Sequence, residues 1–274
     1  MVERQPGQPV LGANDWSCKP SAAHPNPVVL AHGASANMTV NWATISPLLK
    51  NNGYCVFALT YGVPAGTPFP LDQIGGRNPM EQSATDLGAF IDRVLAATGA
   101  TEVDIVGHSE GSLMPNYYVK FLGGAAKVDK YVGLTPLWKG SNVAMLDAIN
   151  TIARQLGLGP LIDLILGGAF PSALQFLAGS DFIAQMQSGG GPAVAGVTYT
   201  NVMTRYDEAV VPYTSGRMAA APNVRNVVLQ DFCPLDFGGH GMVAFSPNTV
   251  RVVLNALAPA PARPLTCTFV PPAP

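Results

Sequence analysis

The run Val103-Asp104-Ile105-Val106-Gly107-His108-Ser109-Glu110-Gly111 narrows the possible folds of this chain further than any other segment in it. A β-branched apolar stretch passes straight into Gly-x-Ser-x-Gly and then into a helical pattern. A strand that turns so abruptly into a helix leaves no room for side chains two positions before and two after the serine, which is why both are glycine. The same turn pushes the serine hydroxyl into open space. The run therefore predicts a buried strand, a tight turn presenting Ser109, and a helix over Ser109 to Phe121.

Around this segment, short β-rich runs at Val28 to Ala31, Tyr54 to Leu59, Val103 to Val106, Tyr131 to Leu134, Val197 to Thr204 and Asn226 to Gln230 alternate with helical patterns. The helices are expected at Trp42 to Asn51, Met80 to Thr98, Ser109 to Phe121 and Asn248 to Leu257. Near-continuous apolar strands separated by helices predict an α/β fold, with a mostly parallel, doubly wound sheet covered on both faces. A length of 274 residues suits a single domain of this kind, 1–274. Residues 1–26, rich in Pro, Gly, Asn and Ser and lacking periodicity, read as an irregular arm. From Lys139 to Ala195 the alternation stops, and apolar residues such as Met145, Ile149, Ile152 and Leu156 recur at helical intervals. This predicts a helical cap inserted over 139–195. Its further apolar residues, Leu161, Ile165, Phe170, Leu174 and Phe176 among them, exceed what one packed stripe needs. They are candidates to line a substrate pocket, the alternative being that they pack on the sheet.

A serine hydroxyl is a weak nucleophile at neutral pH. An imidazole must take its proton, and a carboxylate must hold that imidazole in the right tautomer. The chain has four histidines. His24 sits in the arm, His32 ends the first strand, and His108 lies inside the turn, where it should point away from Ser109. His240, in the glycine-flanked loop Phe237-Gly238-Gly239-His240-Gly241 before the last helix, is the expected base. The acid should lie between serine and histidine in chain order, at the end of a late strand. Asp207 fits, with Glu208, Asp231 and Asp236 as competitors. The negative charge that develops on an attacked carbonyl needs two backbone N–H donors. These are expected from Glu110, just after the serine, and from Ala34 in the loop His32-Gly33-Ala34-Ser35, with the Ser35 hydroxyl a further candidate. The Glu110 carboxylate is also a candidate to stabilise the His240 imidazolium. No metal or cofactor is called for.

Composition excludes other classes. The net charge is −2 and the cations are scattered, so no surface tracks a nucleic-acid backbone. Only 12% of residues are charged and 48% are hydrophobic, which implies a large core or apolar surface open to a greasy partner. No apolar run reaches the roughly 18 to 20 residues that cross a bilayer; the most hydrophobic stretch, Leu156 to Ala169, is broken by glycines and Pro160. Cys18, Cys55, Cys233 and Cys267 lack CxxC spacing, which favours two disulfides and an exported protein over metal binding. Of three pairings, Cys18 with Cys55 and Cys233 with Cys267 join each terminal segment to its nearest core element; four buried free thiols are the alternative. The start, Met1-Val2-Glu3-Arg4, has no secretory pattern, so a leader is expected to have been removed.

The stretch Gly107-His108-Ser109-Glu110-Gly111-Ser112-Leu113-Met114-Pro115-Asn116-Tyr117-Tyr118, with Asn41-Trp42-Ala43, Gly53-Tyr54-Cys55 and Asp207 to Tyr213, resembles the secreted actinobacterial class 2 lipases, from about Cys18 to Cys267. That resemblance implies an α/β-hydrolase fold, a Ser109, Asp207, His240 triad, oxyanion amides at Ala34 and Glu110, and the disulfide pairing just given. It further implies hydrolysis of acylglycerols and simpler carboxylic esters without a metal; the chain itself is expected to be a monomer that meets an ester or lipid substrate or a lipid–water interface. Such enzymes also resemble the yeast lipase B type, with a small or mobile cap; on that reading the pocket candidates Leu161, Ile165, Phe170 and Leu174 line an acyl-chain pocket. Within the same machinery the substrate is alternatively a polyester, or the acyl acceptor a group other than water. Outside enzymes, the alternative is a silent binding module on the same fold.

Overall fold

The structure is a computed structural model that describes residues 9–142, 157, 170–258, 260 and 262–272. Six strands, β1 (Val28–Ala31), β2 (Val56–Leu59), β3 (Val103–His108), β4 (Val128–Leu134), β5 (Thr198–Met203) and β6 (Val224–Val228), pair in the order β2-β1-β3-β4-β5-β6. Every pairing is parallel. The chain winds outward from β1 to β2 and then returns to the other side of β1 as β3. The direction of winding therefore reverses between β1 and β3, and open α/β sheets bind ligands beyond the carboxyl ends of such a pair. The register Ala31↔Gly107 brings those two ends level.

The strands are apolar at successive positions because both faces are covered. Val29, Phe57, Ile105, Tyr131 and Tyr199 point to one face and pack with Leu87 and Ile91 of α3 (Met80–Thr98) and Leu113 of α4 (Glu110–Phe121). Val28, Leu30, Val56, Val106, Val132 and Val202 point to the other. There they meet Met38 of α1 (Met38–Asn41), Ile45 and Leu49 of α2 (Ile45–Asn51), and Val252 and Val253 of the C-terminal helix (Pro247–Leu257). The two-residue period of a strand thus supplies both layers at once.

In the predicted insertion, α5 (Pro171–Gln175) and α6 (Asp181–Gln187) are described. Their neighbourhood contributes Phe170, Phe176, Phe182, Ile183 and Met186 to the core on the α3/α4 face. Met145, Ile149, Ile152, Leu156, Leu161 and Ile165 lie outside the described residues. One strand ends sooner than expected: the run to Gln230 breaks at Val228, and α7 (Leu229–Phe232) follows. The Gln230 side chain accounts for the break, because it reaches Thr204 Oγ1, the Asp236 carbonyl and the Arg205 N–H instead of continuing the ladder. The C-terminal helix is α8 in this order.

Residues 10–26 are irregular but firmly seated along the β2 edge. Asn14 accepts from the Ala58 N–H and donates to its carbonyl, at 2.9 and 2.8 Å, and Trp16 packs on Phe57 with Arg93 over its ring. An arm that occupies an edge strand in this way blocks pairing with other chains. The structure joins Cys18 to Cys55 and Cys233 to Cys267.

Candidate active site

Ser109 is the first residue after β3 and holds φ 56°, ψ −124°, a conformation that costs a non-glycine residue on the order of 1–3 kcal/mol. The reason is visible on either side. A Cβ at Gly107 would come within 1.8 Å of the Gly111 carbonyl oxygen, and one at Gly111 within 2.1 Å of the Ala31 carbonyl oxygen. Strand, turn and helix are therefore packed backbone to backbone, and the strain falls on the serine between them.

Of the four histidines, one has a carboxylate partner. His24 stacks against Tyr54 in the arm. His32 is buried beneath Tyr61, accepts the Tyr61 N–H at Nε2 and donates from Nδ1 to the Gly33 carbonyl; burial pushes its pKa down to about 4. His108 is also buried, with Nδ1 3.0 Å from Asn41 Oδ1 and Nε2 3.1 Å from the His240 carbonyl, and burial depresses it to about 3. His240 differs: its Nδ1 lies 2.9 Å from Asp207 Oδ1. Burial works against its charged form, but the Asp207 carboxylate, with Glu208 behind it, outweighs that and leaves the imidazole more basic than usual. Asp207 follows β5 and is fixed by the N–H groups of Ala209 and Val210, at 3.1 and 2.7 Å.

The competing acids have other partners. Asp236 is buried and accepts from Gly238 N–H, Ser246 Oγ and Asn248 Nδ2, tying the His240 loop to α8. Asp231 pairs with Arg205 on the surface. Glu208 accepts the backbone N–H of His240 at 2.8 Å, a contact the sequence reading did not anticipate.

Ser109 and His240 border one small cavity of about 110 Å³, together with Gly33, Ala34, Ala36, Asn41, His108, Leu137, Phe176 and Ala209. Among the described contacts the Ser109 hydroxyl has no hydrogen bond to the His240 ring, an arrangement often tightened only when substrate binds. Ala34 lies on the cavity wall while its neighbours' amides are committed, Gly33 N–H to Asn41 Oδ1 and Ser35 N–H to the Gly75 carbonyl. Glu110 opens α4, so its N–H is one of the first-turn donors that no helical carbonyl can reach. Ser35 is held at φ 60° with its hydroxyl buried and unpartnered, and it is not part of the cavity wall.

The Glu110 carboxyl corrects one expectation. It faces Ser172 of α5 rather than His240, and the charges that act on the His240 ring are those of Asp207 and Glu208. Burial raises Glu110 to about 8. The Ser172 hydroxyl lies between the Gly76 carbonyl, at 2.5 Å, and Glu110 Oε2, at 3.3 Å, and its contact with the carboxylate only partly offsets the effect of burial.

Of the four candidate pocket residues, Leu161 and Ile165 lie outside the described residues. Phe170 is buried in the core and Leu174 is 65% exposed on α5; neither borders the cavity. The cavity's apolar wall comes from Phe176, one of the surplus apolar residues of the 139–195 stretch, and from Leu137 and Ala209, which no sequence periodicity singled out because each sits beside an irregular turn.

A family model described as Lipase (class 2) matches residues 25–249. Triacylglycerol lipases of Pseudarthrobacter phenanthrenivorans and Burkholderia plantarii are each 36% identical over 101 residues, 35% of this chain. Those residues are 28% and 25% of the relatives, so the match spans about a quarter of their length. Among solved structures, Aspergillus fumigatus lipase B superposes with a TM-score of 0.65 at 18% identity, covering 94% of this chain and 61% of that one. A Bacillus licheniformis lipase in mature form gives 0.60 at 16%, covering 92% and 96%. At such identities the likeness is one of fold, and the fold is that of the α/β-hydrolase lipases and esterases.

Proposed function

Because this chain belongs to the class 2 lipase family, we propose that it hydrolyses carboxylic esters, acylglycerols among them, through Ser109, His240 and Asp207. Ser109 Oγ attacks the ester carbonyl as its proton passes to His240 Nε2, and Asp207 holds Nδ1 and balances the imidazolium. The amides of Ala34 and Glu110 take the oxyanion, each being worth about 3 kcal/mol of barrier. The alcohol departs with the proton held by His240, leaving Ser109 acylated. Water, deprotonated by the same imidazole, then releases the acid and restores the hydroxyl.

The observation that carries this reading is the convergence on one cavity of a strained serine and the only described histidine that a carboxylate holds. Two disulfides are compatible with an exported enzyme, and among the described residues no helix is long and apolar enough to cross a membrane. Of the described residues in the stretch 139–195, Phe176 borders the cavity.

The test is hydrolysis of p-nitrophenyl butyrate and of a triacylglycerol emulsion by the native chain and by Ser109→Ala. Turnover by the native chain is expected to fall at least about 10⁴-fold in the variant. A Ser109→Ala enzyme that keeps its rate overturns the assignment.

A further inference from the structure

His240 is gripped at more points than a base oriented by one carboxylate requires. Asp207 holds its ring at Nδ1, at 2.9 Å. The very next residue, Glu208, accepts the backbone N–H of His240 through Oε2, at 2.8 Å. The carboxylate lies so close against Gly239 that a Cβ there would fall 2.4 Å from Oε2, so the glycine before the base is what lets Glu208 seat. On the far side, the His240 carbonyl faces His108 Nε2.

We infer that Glu208 is a second positioning carboxylate for the base: it fixes the peptide on which His240 is mounted and adds negative charge beside the imidazolium. The inference rests on the proposed role of His240 and deepens it. Two consequences follow from the chemistry. An ionised acceptor makes a shorter and stronger bond to an N–H than a neutral one, so removing the side chain frees the His240 peptide, and a displacement of about 1 Å at a catalytic group can cost about 100-fold in rate. Negative charge also favours the protonated ring. The titratable groups facing the His240 ring are Asp207 and Glu208, from the loop after β5, and the buried neutral His108, from the end of β3. Among the described residues, Glu208 is thus the charge besides Asp207 that can be removed to read its effect on the base.

The experiment is the pH dependence of kcat and kcat/KM with p-nitrophenyl butyrate for the native enzyme, Glu208→Gln, Glu208→Ala and Ser109→Ala. Glu208→Gln keeps an acceptor for the N–H but loses the charge. Its acid limb is expected to move down by about half a pH unit, with most of the kcat lost in Glu208→Ala restored. Glu208→Ala is expected to lose about 10- to 100-fold in kcat with little change in KM, since the residue does not border the cavity. An unmoved acid limb in Glu208→Gln overturns the electrostatic part, and native kcat in Glu208→Ala overturns the positioning part. A merely structural contribution changes the melting temperature of both variants without shifting the acid limb, and so also overturns the proposal. If Ser109→Ala is inactive while both Glu208 variants behave as native, only this inference falls; if Ser109→Ala is active, the proposed reaction falls with it.

Discussion

At single residues, the site is governed by how burial and charge set protonation. In the proposed reaction His240 must be neutral to accept the serine proton, yet Asp207 and Glu208 hold it above its ordinary value of 6.5. The acid limb of kcat/KM is therefore expected above pH 6.5. Asp207→Asn, which removes the ring's own carboxylate, should move that limb down while lowering turnover; a native limb below 6.5 would contradict the electrostatics. Glu110 gives the opposite kind of prediction, one of stability. Its folded value is about 8 against an ordinary 4.5, so between these pH values the folded chain keeps a proton that the unfolded chain has released. Stability must then fall as pH rises through this window, with the penalty complete above the folded value. Glu110→Gln, neutral at every pH, should flatten that decline, measured as melting temperature between pH 5 and 9. A wild-type curve already flat there would mean that the carboxyl is ionised in the fold.

At the level of elements, the base loop is a strap fastened at both ends. Thr204 Oγ1, just past β5, donates to the Gly238 carbonyl at 2.8 Å, and Asp236 collects three donors from Gly238, Ser246 and Asn248. Ser246 also caps α8, accepting from the Asn248 and Thr249 N–H groups. One buried carboxylate therefore joins the loop that carries His240 to the helix behind it. Asp236→Ala leaves those buried donors unmatched and is expected to cost about 3 kcal/mol in urea unfolding, with a lower kcat. Unchanged stability would show that the loop is held by other contacts. Asp236 looked in the sequence like a rival for the catalytic acid, and only its partners reveal that it holds the loop rather than the imidazole.

Across the whole molecule, each disulfide ties a terminal segment to the body of the fold, and one of the two lies beside the site. Cys18–Cys55 anchors the arm beside β2, and Cys233–Cys267 anchors the C-terminal segment beside the base loop, where Phe237 N–H also donates to the Val270 carbonyl. Closing a loop of 37 residues is worth about 3–4 kcal/mol through the entropy of the unfolded chain. Cys18→Ser with Cys55→Ser is expected to lower stability by about that amount while sparing kcat, because the arm packs on the β2 edge. The matching Cys233 and Cys267 pair should lower both, since it loosens the segment that holds the His240 loop. Equal effects on kcat from the two pairs would break this distinction.

The sequence by itself determined the strand positions, the turn at Ser109 and the identity of the acid and base candidates. Each depends on local physics: β-branched runs that alternate between two covered faces, glycines that a tight turn compels, and a chain order of serine, acid and histidine that the strand sequence dictates. The tertiary structure alone decided where the Glu110 carboxyl points, that Glu208 holds the His240 peptide, that Asp236 is a tether, and that Leu137 and Ala209 wall the cavity while Phe170 and Leu174 do not. These outcomes depend on which loops meet at the carboxyl ends of β1, β3, β5 and β6. A side chain's burial and partners are set there by residues tens or hundreds of positions away, and no local pattern records them.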